Sequence, residues 1–430
     1  MNVALDALKI YAEWITFLLW AVPAKLRPTI LELLLGAMIS RNGHITDVYF
    51  AIRPKKHWNT YFKTIEKGKF AWTNLAKRWI QLLLHLFGID SITLAIDDFI
   101  TFRSSKKAPS CAIHHDHAHR ANRPKFVQGQ LRVGLAAIVS KDGRHRALPL
   151  LMHLIRTSGN RSKIRSARLL LNLVLRWLPQ LAHTQLLLDA WYMKASFVMP
   201  MIEKGFTVIG QVRKDTVLCR LPERKQGRGR PRKYGERITL EKLQEQNDSS
   251  QTTVSAYGKN LLFQYYSGLA KVRFLKGLLV RFVWCRFQKD SGQWTKWHLL
   301  LATDPHLEPS KVIRLYTLRW WVEPMFNELK NLFGMNNAWQ QAKQSLARWT
   351  MILSLAYSLP QLMAVWLGPE QGAKFFSIPW RRQKPVTAGW IARGISHYFQ
   401  GFPVRRLWDR KAQKMRVPTE LFASEFKEAA

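Results

Sequence analysis

From residue 91 the spacing of apolar side chains changes from helical to alternate, and this change constrains the fold more than any other feature. Ile92, Leu94 and Ile96 alternate with Thr93, Ala95 and Asp97, the period of two expected of a strand. Two further strands are predicted in GQLRVGLAAIVS and RHRALPLLMHL, joined by the turn KDG at 141–143. The helical pattern RSKIRSARLLLNLVLRWL then stops at Pro179. It is followed by the strand TQLLLD, a helix through YMKASFVMPMIEKG ended by Gly205, and the strand FTVIGQV. An α/β core in the order β-β-β-α-β-α-β is therefore expected over 89–210, with Asp97 and Asp189 closing its first and fourth strands.

The flanks follow other periods. Residues 1–88 read as helices, with apolar repeats in ALDALKIYAEWITFLLW, TILELLLGAMI and AWTNLAKRWIQLLLHLF. The basic, aromatic segment RPKKHWNTYFKTIEKGK suits a helical DNA-binding domain, the alternative being helices that brace the next domain. Over 211–298 a loop, LPERKQGRGRPRKYGER, precedes strand-like stretches such as TTVSAYGKNLLFQYY and KGLLVRFVWCRFQ, which predicts a β-rich insertion. The core resumes over 299–370 with the strand WHLLLATD, a long helix from about 309 to 332 and a second helical segment. Residues 371–430 form a basic C-terminal tail. The uncharged stretch WTMILSLAYSLPQLMAVWLG is about as long as a membrane span. Pro360, Gln361 and the hydroxyls of Thr350, Ser354 and Ser358 interrupt it, so a buried helix pair is expected and a membrane is not.

Charge narrows the partner. Sixty-seven Lys and Arg against 28 Asp and Glu leave a net charge of +39, a surface that attracts phosphate backbones. Cys111, Cys219 and Cys285 are odd in number and far apart, which excludes a disulfide framework and a paired zinc ribbon and suits a reducing cytoplasm. Asp6 and Glu13 in the first helix argue against a secretory signal.

A third acid completes a chemical pattern. Counting about 100° per residue from Tyr316, Arg319, Glu323 and Lys330 fall within about 60° of arc, whereas Glu328 lies on another face. Asp97, Asp189 and Glu323 together suit two Mg²⁺ ions, which want hard oxygen ligands and act on phosphodiesters; Mn²⁺ can substitute. Asp98 competes with Asp97, but alternation sets Asp97 on the face of the small Thr93 and Ala95. The cluster His114, His115, Asp116, His117 and His119 reads as a polar loop near the catalytic face, since no second ligand group at zinc spacing follows.

The strand and helix order resembles the ribonuclease H arrangement. The spacing Tyr316, Arg319, Glu323, Lys330 resembles the Y-R-E-K signature of bacterial insertion-sequence transposases of the DDE type. With the two aspartates, the resemblance covers about 91–335. It implies a ribonuclease H-like mixed sheet with an insertion before the third acid, and a homodimer in the cytoplasm acting on double-stranded DNA at transposon ends and target. Arg319 and Lys330, on the face of Glu323, are read as contacts to phosphates beside the cut, the alternative for Arg319 being an intrahelical ion pair with Glu323; Tyr316 either positions a phosphate or base of the DNA or packs in the core. One departure is Phe99, where the family often has Thr. The segment GRGRPRK resembles a minor-groove hook, with Arg228, Arg230, Arg232 and Lys233 as DNA contacts. Trp284, Trp294 and Trp297 are candidates for stacking on an unpaired base, core packing being the competing role. A metal-dependent nuclease on the same core and an inactive DNA-binding relic are the alternatives.

Overall fold

A computed structural model describes residues 3–105, 107–115, 124–155, 160–223, 232–246, 248–256, 258–376, 386–418 and 421. Five helices come first: α1 (Val3–Leu19), α2 (Arg27–Ser40), α3 (Ile45–Ala51), α4 (Asn59–Lys67) and α5 (Trp72–Phe87). The alternating segment forms β1 (Ile92–Phe102), and after β2 (Ala112–His115) come β3 (Phe126–Lys141) and β4 (Arg144–Leu154). Asp142 and Gly143 join the last two at φ 50° and 72°, the doubly left-handed turn that suits a two-residue hairpin. Then follow α6 (Asn160–Trp177), β5 (Gln185–Leu188), α7 (Ala195–Glu203) and β6 (Thr207–Val212), in the expected order.

The next stretch is β-rich, as expected: β7 (Leu218–Cys219), β8 (Arg237–Ile238), the short α8 (Leu240–Gln246), β9 (Ser250–Ala256), β10 (Lys259–Val272) and β11 (Leu278–Phe287). It does not form a separate sheet. Through β12 (His298–Ala302), which pairs with both β6 and β11, it continues the core sheet. Among the described residues the strands run in the order β2-β3-β1-β5-β6-β12-β11-β10-β7-β8. Strand β4 shares an edge of β3 with β2, and β9 shares an edge of β10 with β7. Strands β1, β5 and β6 are parallel, and β3 runs against β1.

The long helix predicted for 309–332 is interrupted. It comprises α9 (Pro309–Leu318), a 3₁₀ turn over Arg319–Trp321, and α10 (Val322–Asn331). Pro324 supplies the reason: it has no N–H to give the carbonyl four residues back, and its ring crowds that carbonyl, so the preceding turn tightens. The predicted helix pair is α11 (Lys343–Phe375), which passes Pro360 unbroken and kinks at Gly368. Gly368 has φ 73°, and a Cβ there would lie 1.9 Å from the Arg144 guanidinium. Although α11 is long and apolar enough to cross a membrane, 89% of its most apolar window is buried inside the protein. It is a core helix, packed against β4, α1, α2 and α5.

The basic tail is also structured where it is described. Helix α12 (Ala388–Phe399) lies against α11 and α2, and the small hairpin β13 (Trp408–Asp409) and β14 (Lys414–Met415) packs on α1. Two buried arginines tie the layers together through carbonyls. Arg348 of α11 donates to the carbonyls of Ile65, Glu66, Gly68 and Phe70. Arg103, just past β1, donates to those of Met335, Asn336 and Ala338 beyond α10. Helix α6 covers one face of the sheet and α10 the other. Lys163 of α6 meets Asp98, whereas Phe326 of α10 meets Phe99, and adjacent residues of a strand point to opposite faces.

Candidate active site

Asp97 lies within β1, not at its end; what ends beside it is the parallel ladder with β5. Ile96 is the last β1 residue paired there, opposite Leu188, and Asp189 follows β5 directly. The two acids thus share the carboxyl edge of neighbouring parallel strands, where open α/β sheets form their crevices. On the other side of β1, Asp97 is opposite Gly134. A Cβ on Gly134 would lie 2.9 Å from the Phe326 ring, so the glycine admits α10 close to the strand. Phe99 meets that same ring at 4.3 Å between centroids. The departure from Thr at this position therefore has a packing reason: Phe99 seats the helix that carries Glu323.

Arg319 joins the two outer acids. Its Nη1 donates to Asp97 Oδ2 at 3.1 Å and its Nη2 to Glu323 Oε1 at 2.8 Å. Asp189 is held differently, its Oδ1 accepting the backbone N–H groups of Trp191 at 3.1 Å and Tyr192 at 3.0 Å. Burial, and then the charge of Asp189, push the Asp97 carboxyl up to about 7, against the pull of Arg319. Burial also raises Asp189, with the Tyr192 N–H and Arg319 acting the other way. Burial works against the Arg319 cation, but Tyr316, Asp97 and Glu323 outweigh it and hold the guanidinium more firmly protonated than usual.

Asp98 has other partners. Its carboxylate takes Lys163 Nζ at 2.7 Å and the Tyr192 hydroxyl at 3.1 Å, on the α6 face. Glu328 turns inward and accepts from Gln361 at 2.6 Å, away from the acids. Tyr316 donates to Gln211 of β6 at 3.3 Å, with its ring 5.9 Å from the Arg319 guanidinium. Lys330 Nζ lies 6.0 Å from the Phe99 ring centroid, on the α10 face. Asp97, Glu323, Tyr316, Arg319 and Lys330 are thus gathered on one side, with Asp189 adjoining.

The donor set suits a hard divalent cation. Two carboxylates share one guanidinium with a third beside them, and the repulsion between Asp97 and Asp189 is of the kind a cation relieves. As they stand, no three His, Cys, Asp or Glu side chains among the described residues converge on one metal-sized position. Arg319 stands between Asp97 and Glu323, and the Glu323 side chain is 55% exposed and able to turn.

Other candidates lie elsewhere. Arg228 and Arg230 fall outside the described residues. Arg232 and Lys233 are exposed, with Lys233 beside Gly277 at the β10–β11 turn. Five strand spacings separate β1 from β10 in the sheet order, about 24 Å, so Lys233 does not adjoin the acids. Trp284 is buried, and Trp297 packs against Tyr266 and Arg286. His114 and His115 lie on β2 at the sheet edge, while Asp116, His117 and His119 are outside the described residues. Burial lowers the His114 imidazole pKa, and Lys163 adds to the effect. Sequence reasoning missed Lys163, Trp191, Tyr192 and Lys194. Trp191 and Tyr192 could have been found by their nearness to Asp189; Lys163 carries no such sequence signal.

Residues 112–359 match the family model described as the transposase DDE domain. Asp189 and Glu323 fall within the matched span, and Asp97 precedes it. No curated protein matches the chain.

Proposed function

The chain belongs to the transposase DDE domain family, and from that premise we propose that it cleaves DNA at the ends of an insertion sequence and joins the freed 3′ ends to target DNA. The observation that carries this reading is Arg319 bound to both Asp97 and Glu323, two acids 226 residues apart (323 − 97), with Asp189 beside Asp97. The strand order β4-β3-β1-β5-β6, with β3 alone antiparallel to β1, supports a ribonuclease H-like core carrying an enlarged sheet. The Tyr316, Arg319, Glu323, Lys330 side of the helix supports membership of the Y-R-E-K group.

Asp97, Asp189 and Glu323 would hold Mg²⁺, or Mn²⁺ in its stead, and when bound the ions would polarise the attacking water and stabilise the leaving 3′ oxygen. Arg319, released from the acids, meets a phosphate oxygen through its planar fork, and Lys330 adds a point charge on the same face. Tyr316 steadies the phosphate beside Arg319. The backbone N–H groups of Trp191 and Tyr192 keep Asp189 oriented throughout. Exposed Phe50 and Trp58, close in sequence to Arg53 and Lys55, support DNA contact by residues 1–88. Arg228, Arg230, Arg232 and Lys233 are assigned to DNA further from the cut, and the working unit is a homodimer on paired ends in the cytoplasm.

The test is cleavage of a duplex ending in the element's terminal repeat, with Mg²⁺. Asp189→Asn and Glu323→Gln should each abolish cutting while DNA binding persists. Cutting by either variant at the wild-type rate sinks the assignment.

A further inference from the structure

Two lysines beside the catalytic edge are held by one aromatic ring. Trp191 follows Asp189 by two residues, and its N–H fixes that carboxylate. Lys194 Nζ sits 3.8 Å from its ring centroid and Lys163 Nζ 4.9 Å. The ring's negative face attracts an ammonium and fixes its position without neutralising it. Lys163 is further anchored by Asp98 at 2.7 Å. Among the described residues no carboxylate pairs with Lys194.

Local stability gives no reason for a lysine at 194. It occupies the position just before α7, where a short side-chain oxygen is preferred and where a cation opposes the helix dipole. A local rule broken beside catalytic acids calls for a functional reason.

We infer that Lys194 and Lys163, clipped to Trp191, form a second phosphate-binding rim that takes a backbone phosphate flanking the scissile one, on the side of the acids opposite Arg319 and Lys330. The inference rests on the transposase reading and adds a site to it. Asp98 and Lys163 lie on the α6 face of β1, whereas Phe99 and Lys330 lie on the α10 face. A strand crossing the carboxyl edge of β1 and β5 is then gripped from both faces of the sheet, with the three acids between. Asp98, which the sequence left as a rival first ligand, becomes the anchor of this rim. Through Tyr192 it also steadies the turn that holds Asp189.

The experiment uses the full-length protein and an end-containing duplex, with affinity measured over a salt series in the absence of divalent metal. Each phosphate contact steepens the dependence of log affinity on log salt by about 0.9. Lys194→Gln should make the slope shallower by about that amount, and Lys194→Arg should restore it. Trp191→Ala should reproduce the loss, because the ammonium is no longer held in place. An unchanged slope in both Lys194→Gln and Trp191→Ala overturns the proposal, even if affinity falls. If the variants show these slope changes yet the wild-type protein never cuts the duplex with Mg²⁺, the transposase reading is overturned and the phosphate rim stands.

Discussion

At the residue scale the site is a problem of crowded negative charge. Asp97 is half-buried beside Asp189 and shares Arg319 with Glu323, an arrangement that local stability does not favour. Asp97→Asn should therefore stabilise the metal-free protein, by on the order of 2 kcal/mol, while abolishing cleavage. Thermal melting and the cleavage assay read the two effects, and a lower melting temperature for Asp97→Asn would contradict this account. Asp98→Asn should keep measurable cleavage, since Asp98 faces Lys163 and not the other acids. A pH effect arises away from the site. Burial, and then Arg146, lower the His145 pKa, and its Nδ1 lies 2.7 Å from Ser140 Oγ. The folded protein therefore binds fewer protons there than the unfolded chain. Stability from this group is fully present above about pH 6.5 and is lost as pH falls toward the depressed value. His145→Gln should flatten the fall in denaturant midpoint as pH drops below about 6.5, which urea titration at a series of pH values would reveal.

At the element scale, legibility depended on whether neighbours in sequence decide the structure. Period-two alternation was sufficient for β1, and the KDG turn for the β3–β4 hairpin, because local geometry settles both. Alternation also separated Asp97 from Asp98, although both faces of β1 proved buried through Ile96, so the small-residue face was not the open one. The 3₁₀ turn at Arg319–Trp321 escaped a count at a constant angle per residue, yet Pro324 was there to be read. The contact beyond α10 was not legible. There Gly334, at φ 70°, lies so close to the loop of Asn42 that an added Cβ would fall 2.0 Å from that residue's carbonyl. Asn337 donates to the same carbonyl at 2.9 Å, and Trp349 donates to Gly43 at 2.8 Å. Gly334→Ala meets both a left-handed backbone and a backbone clash, so it should cost at least about 2 kcal/mol. Since this turn ends the helix that carries Glu323, cleavage should fall more steeply than DNA binding. Wild-type stability in Gly334→Ala would show that the loop yields freely.

At the scale of the whole molecule, the segments read as separate from the core are built into it. The C-terminal region reads as basic along the sequence, but its partners are hundreds of residues away, and no period in the chain reveals them. Glu32 on α2 is fully buried, and its Oε2 accepts Arg405 Nη1 at 3.0 Å. Burial raises the Glu32 carboxyl pKa, while Arg405 and the Tyr61 hydroxyl oppose the rise. Helix α11 meanwhile touches α1, α2 and α12 as well as strands β3 and β4, so the helical layer and the sheet share one apolar core. Removing one partner of a buried ion pair strands the other charge, at about 3–5 kcal/mol. Arg405→Met should therefore lower stability by about that much, and Glu32→Gln in the same chain should recover a large part of it. If the terminal helices were an independent unit, calorimetry of Arg405→Met would move one transition and leave a second, belonging to the sheet, in place. A shared core requires that the whole endotherm shift together, and with it the temperature at which cleavage is lost, although Arg405 touches neither the acids nor the helix that carries Glu323.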